Sequence, residues 1–493
     1  GTSNTIFGKS AGSPDAGSNY NVMIGEGAMG GGTLDDSQEN VAIGYRAGYN
    51  ITTSDKNVVV GMQAGQLITT GNQNTYIGWD AGRYQIGGSS NTVVGNGAGK
   101  YQRGNLNTLM GLSAGFGDSS SPYSNGIENT AIGAYALINS RASQSYATAV
   151  GAYAGFYTTG SYNTFMGYKA GYGGTTSAPY TSGQYNTAVG GEALKAFTTG
   201  QQNIAIGYQA ATALTTAGYG VYIGTEAGLT NTTGQYHVVI GHQAGQKLVD
   251  NDNNVLIGYT AGAYIGNTSA DDNVFVGSGA GASGEWDDPT SNSATDNTAV
   301  GKSAMGGAGG NTANHFTAAQ NTAIGRYAMH KMESGAANIA VGNNALENIT
   351  TGEGNVAIGN VAGGDLTTAT DNVFVGREAG NTTTGVDKTV IIGRSAGQGN
   401  LTAAADGTIA IGYQAMKEHT TGARNIAIGH QAMSSTNAGS TSLGSGDNVF
   451  IGYAAAAGTW TDAATNGNVG IGSYVMDAAM DGALYNTAVG SYA

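Results

Sequence analysis

One phrase returns from end to end of the chain and limits what the chain can become: Asn-[Thr/Val/Ile]-apolar-[Ile/Val]-Gly-x-x-Ala-[Gly/Met/Leu], found 27 times in 493 residues. Its residues are numbered here from the Asn as position zero. Position zero is Asn in 22 copies, the exceptions being Ala147, Gly220, His237, Thr389 and Thr408. Position one is Thr, Val or Ile in all 27 copies, position four is Gly in all, and position seven is Ala in all but one, Val475. Of the 26 intervals between copies, 13 are 17 residues long, and those containing Pro122, Pro179 and Pro289 lengthen to 22–24. A fixed period of this size marks a repeat architecture, in which each unit buries its apolar face only against its neighbours.

A β-branched residue followed by two apolar ones, bounded by Asn and Gly, reads as a short strand. Helix is excluded by the 86 glycines, each of which costs roughly 1 kcal/mol in a helix interior. Seventeen residues also leave no room for a strand plus a helix. The expected fold is therefore all-β: a β-solenoid or β-roll fibre of about 27 rungs of about 17 residues, spanning residues 1–493 as a single repetitive domain. With strands stacked about 4.8 Å apart, 27 rungs extend roughly 130 Å. Position four is expected to need either a positive φ or a close backbone approach. The Ala at position seven, as at Ala47 and Ala328, is expected to face a narrow interior. Asn at position zero, as at Asn40 and Asn321, suits either a ladder of stacked amides or a turn cap.

Strand side chains alternate, so positions one and three share one face and position two takes the other. Position two is apolar or Gly in every copy, so both faces are expected to be covered. A thin solenoid has one interior. The face carrying position two is therefore expected to pack against other chains, in a parallel homotrimer whose interface runs along its length.

The copies Asn40-Val41-Ala42-Ile43-Gly44-Tyr45-Arg46-Ala47-Gly48 and Asn321-Thr322-Ala323-Ile324-Gly325-Arg326-Tyr327-Ala328 resemble the head repeats of YadA-like trimeric autotransporter adhesins. They look more similar still to the Asn-Thr-Ala-Ile-Gly repeats of tail-fibre-type proteins. The resemblance covers essentially the whole chain. It implies a trimeric stalk for surface attachment, placed outside the cell, on the cell surface or on a virion, with no cofactor and no catalytic residues.

Composition narrows the function classes. There is no cysteine, and the net charge is −14 from 18 basic and 32 acidic residues. Such a balance disfavours nucleic acid as a partner, because binding it requires neutralising phosphates with Lys and Arg. No run of 18 apolar residues exists, so no membrane-spanning helix is expected. The acidic turns Asp35-Asp36, Asp250–Asp252 and Asp271-Asp272 read as solvated turns, without the nonapeptide signature of calcium-binding rolls. The six histidines lack zinc-site spacing. No metal site and no enzyme are expected.

Candidate recognition residues are Tyr123, Tyr180, Trp286, Asp287 and Asp288, which lie in the longest connectors, where a rigid scaffold usually presents its binding groups. The expected partner is a surface glycan or a protein receptor. Alternatives are an end-to-end filament subunit without a ligand, an ice-binding solenoid suggested by Thr pairs such as Thr198-Thr199 and Thr215-Thr216, and a glycan depolymerase with paired carboxylates.

Overall fold

The structure, a computed structural model, describes residues 3–117, 124–139, 144–174, 180–266, 269–282, 292–306, 316–436, 444–460, 463–480 and 482–493. Each of the 27 sequence copies forms one three-residue strand over positions one to three, from Thr5–Phe7 to Thr487–Val489. A short parallel pair, Ser13–Pro14 with Thr33–Leu34, and a 3-10 turn at Ala403–Ala405 complete the regular elements. Among the described residues there is no α-helix. The chain makes about 26 turns of about 17 residues as a parallel β-solenoid.

Two compact units divide it, Gly1–His237 and Val238–Ala493. In the first, each strand pairs in parallel with the strand one turn away, like position on like position: Val41 on Val58, Ala42 on Val59, Ile43 on Val60. The second repeats the arrangement, with Thr322 on Ile339, Ala323 on Ala340 and Ile324 on Val341. Hydrogen bonding continues past the strands. The Gln63 N–H donates to the Tyr45 carbonyl one turn back, and the Gly48 N–H donates to the Ala64 carbonyl one turn on. Turn and strand are thus both laddered, which pairs backbone groups between turns in a coil that has little regular strand.

Position four has both properties expected of it. Gly44 has a φ of +133°, and a Cβ added there would lie 2.6 Å from the Gly61 carbonyl oxygen of the next turn. Only glycine occupies that backbone region at little cost. The Ala at position seven is fully buried, at Ala47 and at Ala328 alike.

The assignment of strand faces is the reverse of the sequence expectation. Position two points inward: Met23, Ala42, Val59, Phe165 and Phe374 are fully buried. Positions one and three point outward, and Ile206 and Ile324 at position three remain 38% and 41% exposed. The interior accepts side chains as large as Phe and Tyr because position eight makes room. Where position two is bulky, position eight is glycine in most turns: Tyr76 with Gly82, Leu109 with Gly115, Phe165 with Gly171, Phe275 with Gly281 and Phe374 with Gly380, whereas Met23 meets Met29 and Phe450 meets Ala456. A Cβ on Gly82 would stand 2.8 Å from the Tyr76 ring, one on Gly115 would stand 2.6 Å from Leu109, and one on Gly171 would overlap Phe165. Where position two is Ala, position eight often fills the space, as in Ala131 with Leu137, Ala188 with Leu194, Ala299 with Met305 and Ala410 with Met416. Leu194 adopts a φ of +52°, close to the +54° of Gly171, so this corner accepts a side chain.

That sharing of volume makes a double-mutant test. Phe165→Ala alone should lose about 3–5 kcal/mol through the cavity it leaves. Adding Gly171→Leu, which recreates the Ala188 and Leu194 pairing of the next turn, should restore most of that loss in denaturant titrations. A double variant no more stable than the single one would refute the shared-volume account.

Candidate functional surfaces

Position zero builds a buried amide column. The Asn57 backbone N–H donates to Asn40 Oδ1 at 3.0 Å, and Asn57 Nδ2 donates to the same oxygen at 3.0 Å and to the Gly71 carbonyl at 3.0 Å. Asn74 repeats this on Asn57. In the second unit Asn338 does the same on Asn321 at 2.9 and 3.0 Å, and Asn355 follows on Asn338 at 2.9 and 3.0 Å. Ladder and turn-tying roles coexist, since one Nδ2 reaches the next carboxamide and a turn carbonyl together. Where the Asn is missing, the backbone half survives: the Ala147 and Gly220 N–H groups donate to Asn129 and Asn203 Oδ1 at 3.0 Å each. Asn40, Gly44, Ala47, Asn321, Gly325 and Ala328 thus build the coil itself, while Ile43 and Ile324 face outward.

A second polar column runs outside the first. The Gln38 N–H donates to Asp55 Oδ1 at 2.7 Å, the Asp55 N–H to Asn72 Oδ1 at 2.7 Å, and the Asn72 N–H to Ser89 Oγ at 3.0 Å. The acidic turns use the same device, the Asp252 N–H donating to Asp271 Oδ1 at 2.7 Å. Burial, chiefly, pushes the Asp271 carboxyl above its ordinary value, and the neighbouring Asp252, Asp272 and Asp296 add to this. Among the described residues no three His, Asp or Glu side chains gather as a metal site.

The Thr pairs split between two environments. Thr198 Oγ1 donates to the Thr215 carbonyl at 3.0 Å, and Thr215 Oγ1 donates to the Thr232 carbonyl at 2.9 Å. In these two pairs only the second member, Thr199 or Thr216, is exposed.

Aromatic side chains form columns on the surface. His430 lies between Tyr413 and Tyr453 at 4.9 and 5.1 Å between ring centroids. Tyr135, Tyr153, Phe156 and Tyr172 make contacting ring pairs at 5.2–5.5 Å. Arg326 covers the Tyr327 ring at 4.6 Å, and its hydrogen bond and charge hold that phenol below its usual value. A further column, Tyr146, Tyr162 and Tyr185, occupies the residue before position zero. Its signal in the sequence is three tyrosines immediately before successive position-zero residues.

Among the predicted recognition residues, Tyr180 is half-buried and stacks on Tyr157 at 6.0 Å. Tyr123, Trp286, Asp287 and Asp288 lie outside the described residues. Fold and surface define a parallel β-solenoid with an apolar outward strand face. No family model and no curated protein matches the chain.

Two measurements follow from the interior polar groups. Asn338→Ala removes the acceptor of two Asn355 donors and the donor to the Gly352 carbonyl. It should cost about 2–4 kcal/mol and speed amide exchange at Asn355; an unchanged unfolding midpoint would show the column to be dispensable. His419 is buried, with Nδ1 3.1 Å from Thr436 Oγ1 and Nε2 3.1 Å from the Gly422 carbonyl. Burial lowers its pKa below the ordinary 6.5, so the folded chain holds it neutral. Its stabilising contribution is complete above the unfolded-state pKa and is lost as pH falls from there towards the folded-state value. Thermal unfolding should show this loss in the native chain and not in His419→Gln, a substitution with precedent in Gln85 at the same repeat position. Identical pH slopes in the two proteins would contradict the assignment.

Proposed function

We propose that this chain is a non-enzymatic structural fibre or adhesin of the tail-fibre and YadA-like head-repeat kind, working outside a cell or on a virion. It assembles as a parallel homotrimer and attaches its bearer to a surface glycan or protein receptor. The observation that carries this reading is the outward strand face. In turn after turn it presents β-branched or other apolar groups at positions one and three, continued by Tyr45, Met62, Trp79 and Leu112 at position five, all of them exposed. Repeated apolar rows of this extent on an acidic chain mark an interaction surface. The face that meets the neighbouring chains is then that of positions one and three, in place of the position-two face expected from sequence. The laddered turns supply stiffness, and Tyr123, Tyr180, Trp286, Asp287 and Asp288 remain the candidate contacts with a receptor.

Sedimentation equilibrium should give three chains per particle at micromolar protein. Placing a charge on the outward face of each unit, Ile206→Lys with Ile324→Lys, should release single chains that keep their β circular dichroism. A native chain that sediments alone would remove the trimer and, with it, the role assigned to the apolar face.

A further inference from the structure

We propose that the column Tyr146, Tyr162 and Tyr185 is a site of oxidative phenol coupling, at which dityrosine bonds join one turn of the solenoid to the next. All three residues precede position zero and share a backbone φ of 59–60°, so their side chains leave three successive turns in the same direction. Their ring centroids are 4.8 and 5.0 Å apart, with interplanar angles of 11° and 9°. They are nevertheless 41%, 47% and 53% exposed. Tyr219 and Tyr236 form a second, shorter column with the same geometry, at 5.3 Å and 12°.

This geometry disfavours one ligand class and suits another kind of chemistry. A sugar ring stacks on an open aromatic face, and here the facing ring surfaces are occupied by each other. What solvent meets is the ring edges, where the hydroxyls and the ortho carbons lie. A one-electron oxidant reaching an edge takes an electron from a phenol, whose O–H proton passes to water, and the phenoxyl radical left behind carries spin on its ortho carbons. When two such radicals meet, one bond forms between their ortho carbons, and the hydrogens on those carbons move to the oxygens to restore both phenols. Two tyrosines thus give one dityrosine, two protons and two electrons, with two equivalents of oxidant reduced. A neighbour held about 5 Å away has an effective concentration far above that of any second chain at micromolar protein. Coupling is therefore directed within the column, between turns that backbone hydrogen bonds already hold in register.

Tyr20 and Tyr208 serve as internal references. They are as exposed as the column, at 61% and 54%, but the equivalent residues in adjacent turns are Ser3 and Glu39 for Tyr20, and Gly191 and Thr225 for Tyr208. The full chain, at micromolar concentration, is illuminated with tris(bipyridine)ruthenium(II) and persulfate, and coupled peptides are mapped by mass spectrometry. Bonds joining Tyr146 to Tyr162, Tyr162 to Tyr185, and Tyr219 to Tyr236 should appear within single chains, at least about tenfold above any at Tyr20 or Tyr208. Each bond lowers the mass by two hydrogens. Tyr162→Phe keeps the ring stack but removes the central phenol, and should abolish coupling in the triple column while leaving the Tyr219–Tyr236 bond. Coupling centred on Tyr20 or Tyr208, coupling chiefly between separate chains, or coupling of Tyr146 to Tyr185 undiminished in Tyr162→Phe would each overturn the proposal.

Discussion

Within each unit, the strand residues of the repeat sit one strand spacing from their own counterparts in the next turn, and this in-register stacking imposes the chemistry of the chain. A side chain repeated at about 4.8 Å must tolerate contact with itself. Asparagine does so by offering donor and acceptor together, so that Asn57 is at once the donor to Asn40 and the acceptor for Asn74. A carboxylate in that buried column would set like charges at the same spacing with no donor between them. Glycine at position four tolerates it because it has nothing to clash: the next carbonyl occupies the space a Cβ would need. Tyrosine tolerates it at the surface by stacking.

The interior obeys a different rule, because its volume is shared within a turn as well as between turns. Positions two and eight meet across the coil, and what is constrained is their sum. The large ring of Phe165 with Gly171 and the small methyl of Ala188 with Leu194 fill similar spaces in consecutive turns. Some turns borrow from further along the chain. Ala42 pairs with Gly48, and Ile51 supplies the missing bulk, its Cδ1 lying 2.7 Å from where a Gly48 Cβ would be. Such compensation keeps the coil cross-section constant, and a constant cross-section is what allows the amide column to stay in register. Packing and polar ladder are therefore one constraint, since a turn of the wrong girth would pull its Asn away from both neighbours.

The sequence makes the strands, the glycine corner, the small Ala and the amide ladder legible, since each depends on local chemistry repeated at a fixed interval. The inward direction is less legible. A three-residue strand with apolar groups on both faces, as in Val-Leu-Ile at Val255–Ile257, has no polar member to mark the outside. The turn at Gly258, where φ reaches +139°, carries the backbone round towards the side of Leu256, and side-chain alternation does not encode that. The distinguishing signal lies elsewhere. Position two varies from Gly470 to Tyr222 and covaries with position eight, whereas position three stays Ile, Val, Met or Phe whatever its neighbours are. Covariation of size is the mark of a confined space, and uniformity of type is the mark of an open row.

That contrast also bears on what the outward face is for. If its Ile and Val served only strand propensity, Thr would serve as well at position three, as it does at position one in many turns, and it would spare the chain an apolar surface. Thr never occurs at position three. The apolar character is thus kept where neither the interior nor the backbone demands it, on a chain whose net charge of −14 already favours solubility. A surface that repeats one apolar row at every turn is geometrically suited to a partner with the same period, because only a matching repeat meets each row in the same way. In the reading proposed above that partner is another copy of the same chain aligned in parallel, since its rows repeat with the same period.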